Sequence, residues 1–227
     1  MSAAAGAWDE IDAALYAHPE FEDTVFLASR WMRRERAFIT GARSLQGEAE
    51  APTQAVVAAI EAVGKLPSAD AIVEHVRLEG DVEEGGGLCA RIHFLLRSDE
   101  EAGLDELAAA LQTALPDAAW SSDPVVCGLR PNDEVTAAVK GAMDVLGRHF
   151  VDHPGRLPFG TDFGNVSQRV PSALIGIGRP GGWAFHTDEG AEQFAHDGEE
   201  CALSIAQVLS LASVRLLQPR EAPAPPT

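Results

Sequence analysis

The chain has 227 residues, 46% hydrophobic and 23% charged, which is enough for one large or two modest domains with buried cores. Its 17 basic and 35 acidic residues give a formal net charge of −18, which repels nucleic-acid phosphates and anionic lipid surfaces. We therefore expect no nucleic-acid partner. No unbroken apolar run reaches about eighteen residues, and no basic leader opens the chain. For this reason we expect no membrane association and a cytoplasmic location.

Hydrophobic periodicity predicts alternating strands and helices over the first 127 residues. From the second strand onward, the order is strand, helix, strand, strand, helix, strand, which is the split βαβ pattern of ferredoxin-like domains. The predicted elements are strands over 11–18 and 33–40, a helix over 52–64, strands over 72–78 and 88–97, a helix over 100–115 and a strand over 118–126.

The second part of the chain contains fewer predicted elements. A helix over 134–147 follows Pro131 and is capped by Asn132 or Asp133. Residues 148–159 are predicted to be a loop. A small apolar strand over 173–177 and a helix over 199–217 follow, and the tail 218–227 is rich in proline and alanine and is expected to be disordered.

The three cysteines and two of the histidines are explained without a metal site. Cys89, Cys127 and Cys201 are odd in number and widely spaced, so we expect buried thiols rather than disulfides or zinc ligands. His75 and His93 lie on the polar faces of their strands and could be neighbours across the hairpin, where solvent-facing histidines are favoured over a metal pair.

One segment carries a resemblance to a known family. Residues 160–171, Gly-Thr-Asp-Phe-Gly-Asn-Val-Ser-Gln-Arg-Val-Pro, and the dipeptide His186-Thr187 resemble the closing segment of a zinc amidohydrolase active site. His18-Pro19 also resembles a strand-end His-Pro of aminoacylase-like enzymes. The family is that of aminoacylases and carboxypeptidase G-like zinc metallopeptidases (M20), and the resemblance runs from about Asp12 to Leu217.

The resemblance implies an α/β (α+β) fold with two parts. A ferredoxin-like βαββαβ lid, over 31–127, is inserted in a truncated α/β zinc-peptidase-like half-domain formed by 7–30 and 128–217. In family members, an N-terminal portion carries a His-x-Asp motif and a Glu-Glu pair, which supply most of the metal ligands and the general base. This sequence has no counterpart of that portion. The lid is also expected to mediate dimerisation.

The resemblance also implies roles for particular residues. His18 and His186 match two remaining metal-ligand positions, and inherited position is favoured over working ligand. Arg97, Asp162, Asn165 and Ser167 are the candidate substrate-binding residues. Arg97 has the alternative interpretation of an exposed salt-bridging arginine. Asp162 and Asn165 have that of turn-forming residues.

The sequence favours a non-catalytic interpretation of this chemistry. A catalytic zinc needs about three protein ligands and a water, and the two histidines are too few. Residues 40–46, where the lid of the family carries an oxyanion-binding histidine, contain none, and leucine cannot donate a hydrogen bond there. We expect no catalytic residue and no bound cofactor in the chain alone.

The leading hypothesis is therefore a structural or regulatory subunit, as a homo-oligomer or as a hetero-oligomer with a full-length homologue. The alternative is a split amide hydrolase, acting on N-acyl amino acids or dipeptides, whose zinc site is completed by a partner chain. A third possibility is a metal-free site using Asp162, Asn165 and Ser167 around a small ligand.

Overall fold

The computed structural model describes residues 8–40, 50–67, 70–80, 88–151, 155–158, 160–179, 181–184 and 187–218. The chain forms two compact units, Ser29–Gly128 with Leu157–Gly164, and a second made of the described residues in 8–28, 129–156 and 165–218. The elements in chain order are β1 (Ala14–Pro19), β2 (Asp23–Phe26), β3 (Ala28–Ser29), β4 (Trp31–Thr40), α1 (Glu50–Gly64), β5 (Ala71–Gly80), β6 (Leu88–Ser98), α2 (Glu101–Ala114), β7 (Ala119–Ser122), α3 (Asp133–Val145), β8 (Phe150–Val151), β9 (Arg156–Leu157), α4 (Phe163–Ser167), β10 (Ser172–Ile177) and α5 (Asp188–Leu217).

The first unit is a four-stranded antiparallel sheet, in the order β5-β6-β4-β7, with α1 and α2 on one face. Alternation along β6 explains this arrangement, because side chains at every second position point to the same face. Those positions hold Ile92, Phe94 and Leu96, all fully buried against the helices, together with Leu104 and Leu111 of α2. The other face of β6 carries Arg91, His93 and Arg97, together with the buried Leu95.

A carboxylate interrupts the apolar core of the first unit. Glu35, on β4, is fully buried, and its Oε2 accepts a hydrogen bond of 2.6 Å from Ser122 on β7. Arg33 Nε lies 2.6 Å from Glu35 Oε1, an ionic contact without the angle of an aligned hydrogen bond. The same guanidinium reaches Asp105 and the Leu104 carbonyl on α2, so these charges link the central strand to a helix.

The second unit is a four-stranded sheet in the order β1-β10-β2-β8. β1 and β10 are parallel, whereas β10 and β2 are antiparallel. Every residue of β10 is buried, which suits a short central strand of the sheet. Helices α3 and α5 pack on each other and on the sheet.

Side-chain caps fix the starts of these two helices. The Asn132 side chain accepts a hydrogen bond of 3.1 Å from Val135 N, and Thr187 accepts one of 3.0 Å from Gly190 N. Asn132, one of the two caps predicted for α3, is thus the one used.

Several sequence predictions differ from the structure. The last helix begins at Asp188 rather than 199, because its first eleven residues are polar on nearly all sides and show no apolar stripe. The predicted loop over 148–159 contains the two-residue strands β8 and β9, which are too short for a periodic signal. Two cysteines, Cys89 and Cys127, are only half-buried, whereas Cys201 is buried as predicted.

By length and composition alone, helix α5 could cross a membrane. Only 17% of its most apolar 18-residue stretch is buried. The same test is passed by core helices of soluble proteins, and the Cys201, Val208 and Ala212 side chains of α5 are buried in the second unit. The absence of a membrane partner stays a prediction.

Replacing Glu35 by glutamine should strongly destabilise the first unit. The change removes the inner carboxylate from the mostly buried Arg33 guanidinium and leaves it with the exposed Asp105, and breaking such a buried pair costs about 3 kcal/mol. The matched control is Glu74→Gln, which breaks a more exposed pair with Arg34 and should cost less than about 1 kcal/mol. Urea unfolding followed by circular dichroism measures both; equal losses would contradict a special role for the buried charge.

Candidate functional site

Polar side chains gather at one edge of the sheet in the second unit. Because β1 and β10 are parallel, their carboxyl ends lie at the same edge, with His18 opposite Gly176 and Pro19 opposite Ile177. β2 starts at this edge with Asp23, since it runs antiparallel to β10. Ligands of α/β proteins commonly bind outside the carboxyl ends of the strands, so this edge is the candidate site.

His18 is held by groups adjacent to it in the chain. Its Nδ1 lies 2.6 Å from the Pro19 carbonyl oxygen and 3.4 Å from Glu20 Oε1. The hydrogen bond to the Glu20 carboxylate raises the pKa of His18 above its ordinary 6.5, while partial burial of the ring opposes that rise. The carboxylate therefore both orients the ring and favours its protonated form.

A glycine on the neighbouring strand makes room for this pair. A Cβ on Gly176 would lie 2.6 Å from Glu20 Cγ and 2.4 Å from Thr24 Cγ2, distances that real side chains do not adopt. The glycine in β10 thus allows Glu20 to lie over the end of the sheet, within reach of His18.

Asp23 joins three separate segments at the same edge. Both of its oxygens accept from Arg148, at 2.7 and 2.8 Å, and Oδ1 also accepts from the Gly178 N–H at 2.9 Å. Arg148 in turn donates to the Gly178 carbonyl at 3.0 Å. This bidentate pair fixes the turn that follows β10 against the start of β2.

Beyond this turn lies a small cavity of about 120 Å³ that the sequence did not predict. Arg179 stacks over Trp183, 4.0 Å from the ring centroid, and pairs with Asp197 at 2.5 Å. Cys201 lies in the wall of the cavity, and burial raises the pKa of its thiol although Arg148 and Arg179 oppose this. A buried thiol with a raised pKa is unreactive, and we assign it a packing role.

The segment 160–167 contributes the short helix α4. Gly164 lies so close to the backbone that a Cβ would be 1.9 Å from the Cys127 carbonyl oxygen, which accounts for the glycine. Asp162 is exposed, and Thr161 Oγ1 lies 3.5 Å from its Oδ1. These residues belong to the first unit.

Asn165 and Ser167 belong to the second unit. Ser167 is buried, and its Oγ accepts a hydrogen bond of 2.9 Å from the Arg130 N–H. Asn165 is partly buried and makes contacts of its own. Ser167 thus has a structural partner, and its role as a substrate-binding residue stays a prediction.

Arg97 lies at the end of β6 in the first unit. It was expected to be either a substrate-binding residue or an exposed salt-bridging one. The side chain is partly buried, and its Nε is buried with no hydrogen-bond partner, so the salt-bridge interpretation has no support among the described contacts. His186, the other predicted ligand, lies outside the described residues.

Zinc would need more donors than this edge supplies. A catalytic zinc is held by about three protein ligands, and no group of three His, Cys, Asp or Glu side chains with metal-binding geometry occurs in the part of the chain that the structure describes. Among the predicted ligands that part contains His18 alone. The described residues therefore do not fit a catalytic zinc by themselves.

Comparisons with known proteins identify the fold. No family model and no curated protein matches the sequence. Among solved structures, the Bacillus subtilis YXEP protein, a dinuclear metal-binding peptidase from the M20 family, matches 93% of this chain and 59% of its own, with a TM-score of 0.63 and 16% identity. AtUAH, solved with glyoxylate, matches 90% of this chain and 54% of its own, with a TM-score of 0.63 and 14% identity.

A hydantoinase/carbamoylase-family amidase from Burkholderia multivorans matches 92% of this chain and 56% of its own, with a TM-score of 0.57 and 15% identity. This chain therefore has a mixed α/β fold shared with M20 peptidases and hydantoinase/carbamoylase amidases. It spans a little more than half the length of these proteins.

The Glu20 carboxylate should control the titration of His18. Because the folded pKa is raised, the pair stabilises the fold below about pH 6.5, and the stabilisation is lost as pH rises through the folded value. Glu20→Gln should lower the titration midpoint of the His18 ring, measured by NMR in metal-free buffer, and should destabilise the protein more at pH 6 than at pH 9. Glu22→Gln, an exposed carboxylate close by, is the control and should leave the His18 midpoint unchanged.

Proposed function

We propose that this chain is a non-catalytic relative of zinc amidohydrolases and aminoacylases that serves as a structural or regulatory subunit, in the cytoplasm, beside an active homologue. The support for the relationship is the shared fold, together with the sequence resemblance around residues 160–171. The first unit is, in this proposal, the ferredoxin-like lid, and its strand order β5-β6-β4-β7 is that of a split βαβ sheet.

The observation that carries the non-catalytic proposal is the sequence that follows β4. Hydrolysis of an amide requires a donor aimed at the developing oxyanion, and the family resemblance assigns this task to a histidine of the lid. Residues 40–46 read Thr-Gly-Ala-Arg-Ser-Leu-Gln, without an imidazole. The strand that leads into this segment, β4, is intact over ten residues.

The surface of the second unit supports the proposal of a partner. β1 is an edge strand, and the large apolar side chains Ile11 and Tyr16 near it are 44% and 43% exposed. Leu217, at the end of α5, is 80% exposed, and a cavity of about 800 Å³ lies between the residues before β1 and the last turns of α5. Apolar groups exposed on and beside an edge strand are commonly covered by another chain.

The chain should bind a full-length homologue and should not hydrolyse amides alone. We expect no turnover of N-acyl amino acids or dipeptides by the purified chain with Zn²⁺, Mn²⁺ or Co²⁺ added, and co-purification of the homologue when both are expressed together. Tyr16→Lys, on the exposed edge strand, should weaken the complex by at least about tenfold, because it places a charge in an apolar contact.

Asp144→Lys, an exposed residue of α3 outside this surface, is the matched control. Metal-dependent turnover by the isolated chain, retained after repeated gel filtration, would refute the non-catalytic proposal.

A second candidate is the split amide hydrolase, and two observations favour it. The Arg97 Nε is buried without a hydrogen-bond partner, which suits an arginine that receives a substrate carboxylate. The Glu20 contact with His18 Nδ1 also resembles the carboxylate–histidine contact that orients metal-ligating imidazoles. In this candidate, His18 and His186 join ligands of a partner chain around zinc.

The split-hydrolase candidate predicts that His186→Ala lowers the zinc content and activity of the complex with the homologue by at least about tenfold, since one metal ligand is lost. His149→Ala, an exposed histidine after α3, is the control. Unchanged activity and zinc content in the His186 variant would remove the candidate and leave the regulatory one.

A further inference from the structure

Two histidines lie side by side on the open face of the sheet in the first unit. His75 on β5 is the direct partner of His93 on β6, and their ring centroids are 5.5 Å apart. His75 is exposed and His93 is half-buried, so both rings are accessible from solvent. The sequence suggested that the two could be neighbours, and the register makes them so.

A break in the strand register creates this pair. Val73 pairs with Phe94, and a regular ladder would then place Glu74 opposite His93 and turn His75 toward the helices. The register shift between Val73 and His75 adds one residue to β5, so that His75 faces the same side as His93. Bulges commonly re-aim a side chain in this way.

The distance between the rings fits a shared metal ion. Metal–imidazole bonds of about 2.0–2.1 Å place two ring centroids roughly 4.5 Å apart at the 90° angle of square-planar coordination, roughly 5.2 Å apart at a tetrahedral angle and roughly 6.4 Å apart at a linear one. The observed 5.5 Å lies within that range.

The charges around the pair do not oppose a cation strongly. Arg36, opposite His93 on β4, forms two hydrogen bonds of 2.7 Å with Asp123. Arg77, the next residue on this face of β5, pairs with Glu79. Arg91, two residues before His93 on β6, shares Glu79 with Arg77, so this one positive charge is only partly matched, while the net charge of −18 on the whole chain raises the concentration of cations around the molecule.

We propose that His75 and His93 form a cross-strand, two-imidazole site for a late first-row divalent cation such as Cu²⁺, Ni²⁺ or Zn²⁺. Imidazole nitrogen selects these ions over Mg²⁺ and Ca²⁺, which prefer oxygen. Water completes the coordination, so the site is an open one. It is distinct from the His18 edge and does not depend on the function proposed above.

Copper binding tests the proposal most directly, because Cu²⁺ has the highest affinity of the series for nitrogen ligands. The experiment uses a variant of the whole chain that carries His18→Ala and His186→Ala. Metal ions bound by these two predicted ligands then do not contribute to the signal. Cu²⁺ is added under calorimetry, and electron paramagnetic resonance counts the coordinating nitrogens. We expect one ion per chain with two imidazole nitrogens, and no competition from Mg²⁺.

A double-mutant cycle separates chelation from two independent histidines. His75→Ala and His93→Ala should each weaken Cu²⁺ binding by about tenfold or more, because the remaining imidazole binds without its chelating partner, and the double variant should lose this remaining weak binding as well. His149→Ala should have no effect. Metal-free circular dichroism and melting confirm the fold, and His75→Asn and His93→Asn replace any alanine variant that alters it.

Two results would overturn the proposal. One is a copper spectrum with a single imidazole nitrogen in the parent. The other is a set of single variants that lower the number of ions bound while leaving the affinity of the remaining sites unchanged, since that pattern belongs to two separate histidines.

Discussion

The parallel pairing of β1 with β10 is the interaction on which the second unit depends. The two strands come from opposite ends of the chain, and their register runs from Ala14 with Ser172 to Pro19 with Ile177. This ladder covers one side of the central strand β10, on which α3 and α5 also pack. The pairing closes a very long loop, and this closure has a large entropic cost. Burial of the apolar side chains of β10 offsets that cost.

The same pairing determines which polar groups meet. It brings His18 and Glu20 beside the turn after β10, and Asp23 then holds that turn through Arg148 and the Gly178 N–H. In the first unit, a buried carboxylate takes part in linking a strand to a helix. Glu35 is buried among apolar side chains, where it accepts a hydrogen bond from Ser122 and lies in ionic contact with Arg33, and Arg33 in turn reaches α2, so these charges fix the relation of a strand to a helix.

The sequence predicts these elements where periodicity is strong. β6 alternates cleanly and is found where predicted, and α3 has both an apolar stripe and an asparagine cap. The polar beginning of α5, from Asp188 onward, and the two-residue strands β8 and β9 have no such signal, because tertiary pairing rather than local pattern creates them. The bulge that joins His75 to His93 is likewise invisible in the sequence, since one inserted residue reverses the face of every side chain that follows.

The Glu20 contact shows why the candidate site could be found from the sequence but not interpreted from it. A carboxylate beside an imidazole raises the pKa of the ring, and a protonated ring does not bind a cation. The same carboxylate also orients the ring and increases its basicity once a metal has displaced the proton. Which effect prevails depends on how many further ligands would bind the same metal ion as His18. The binding energy of a single imidazole rarely exceeds the cost of removing its proton. The number of converging donors, rather than the presence of the histidine, is therefore the property on which a metal site at this edge depends.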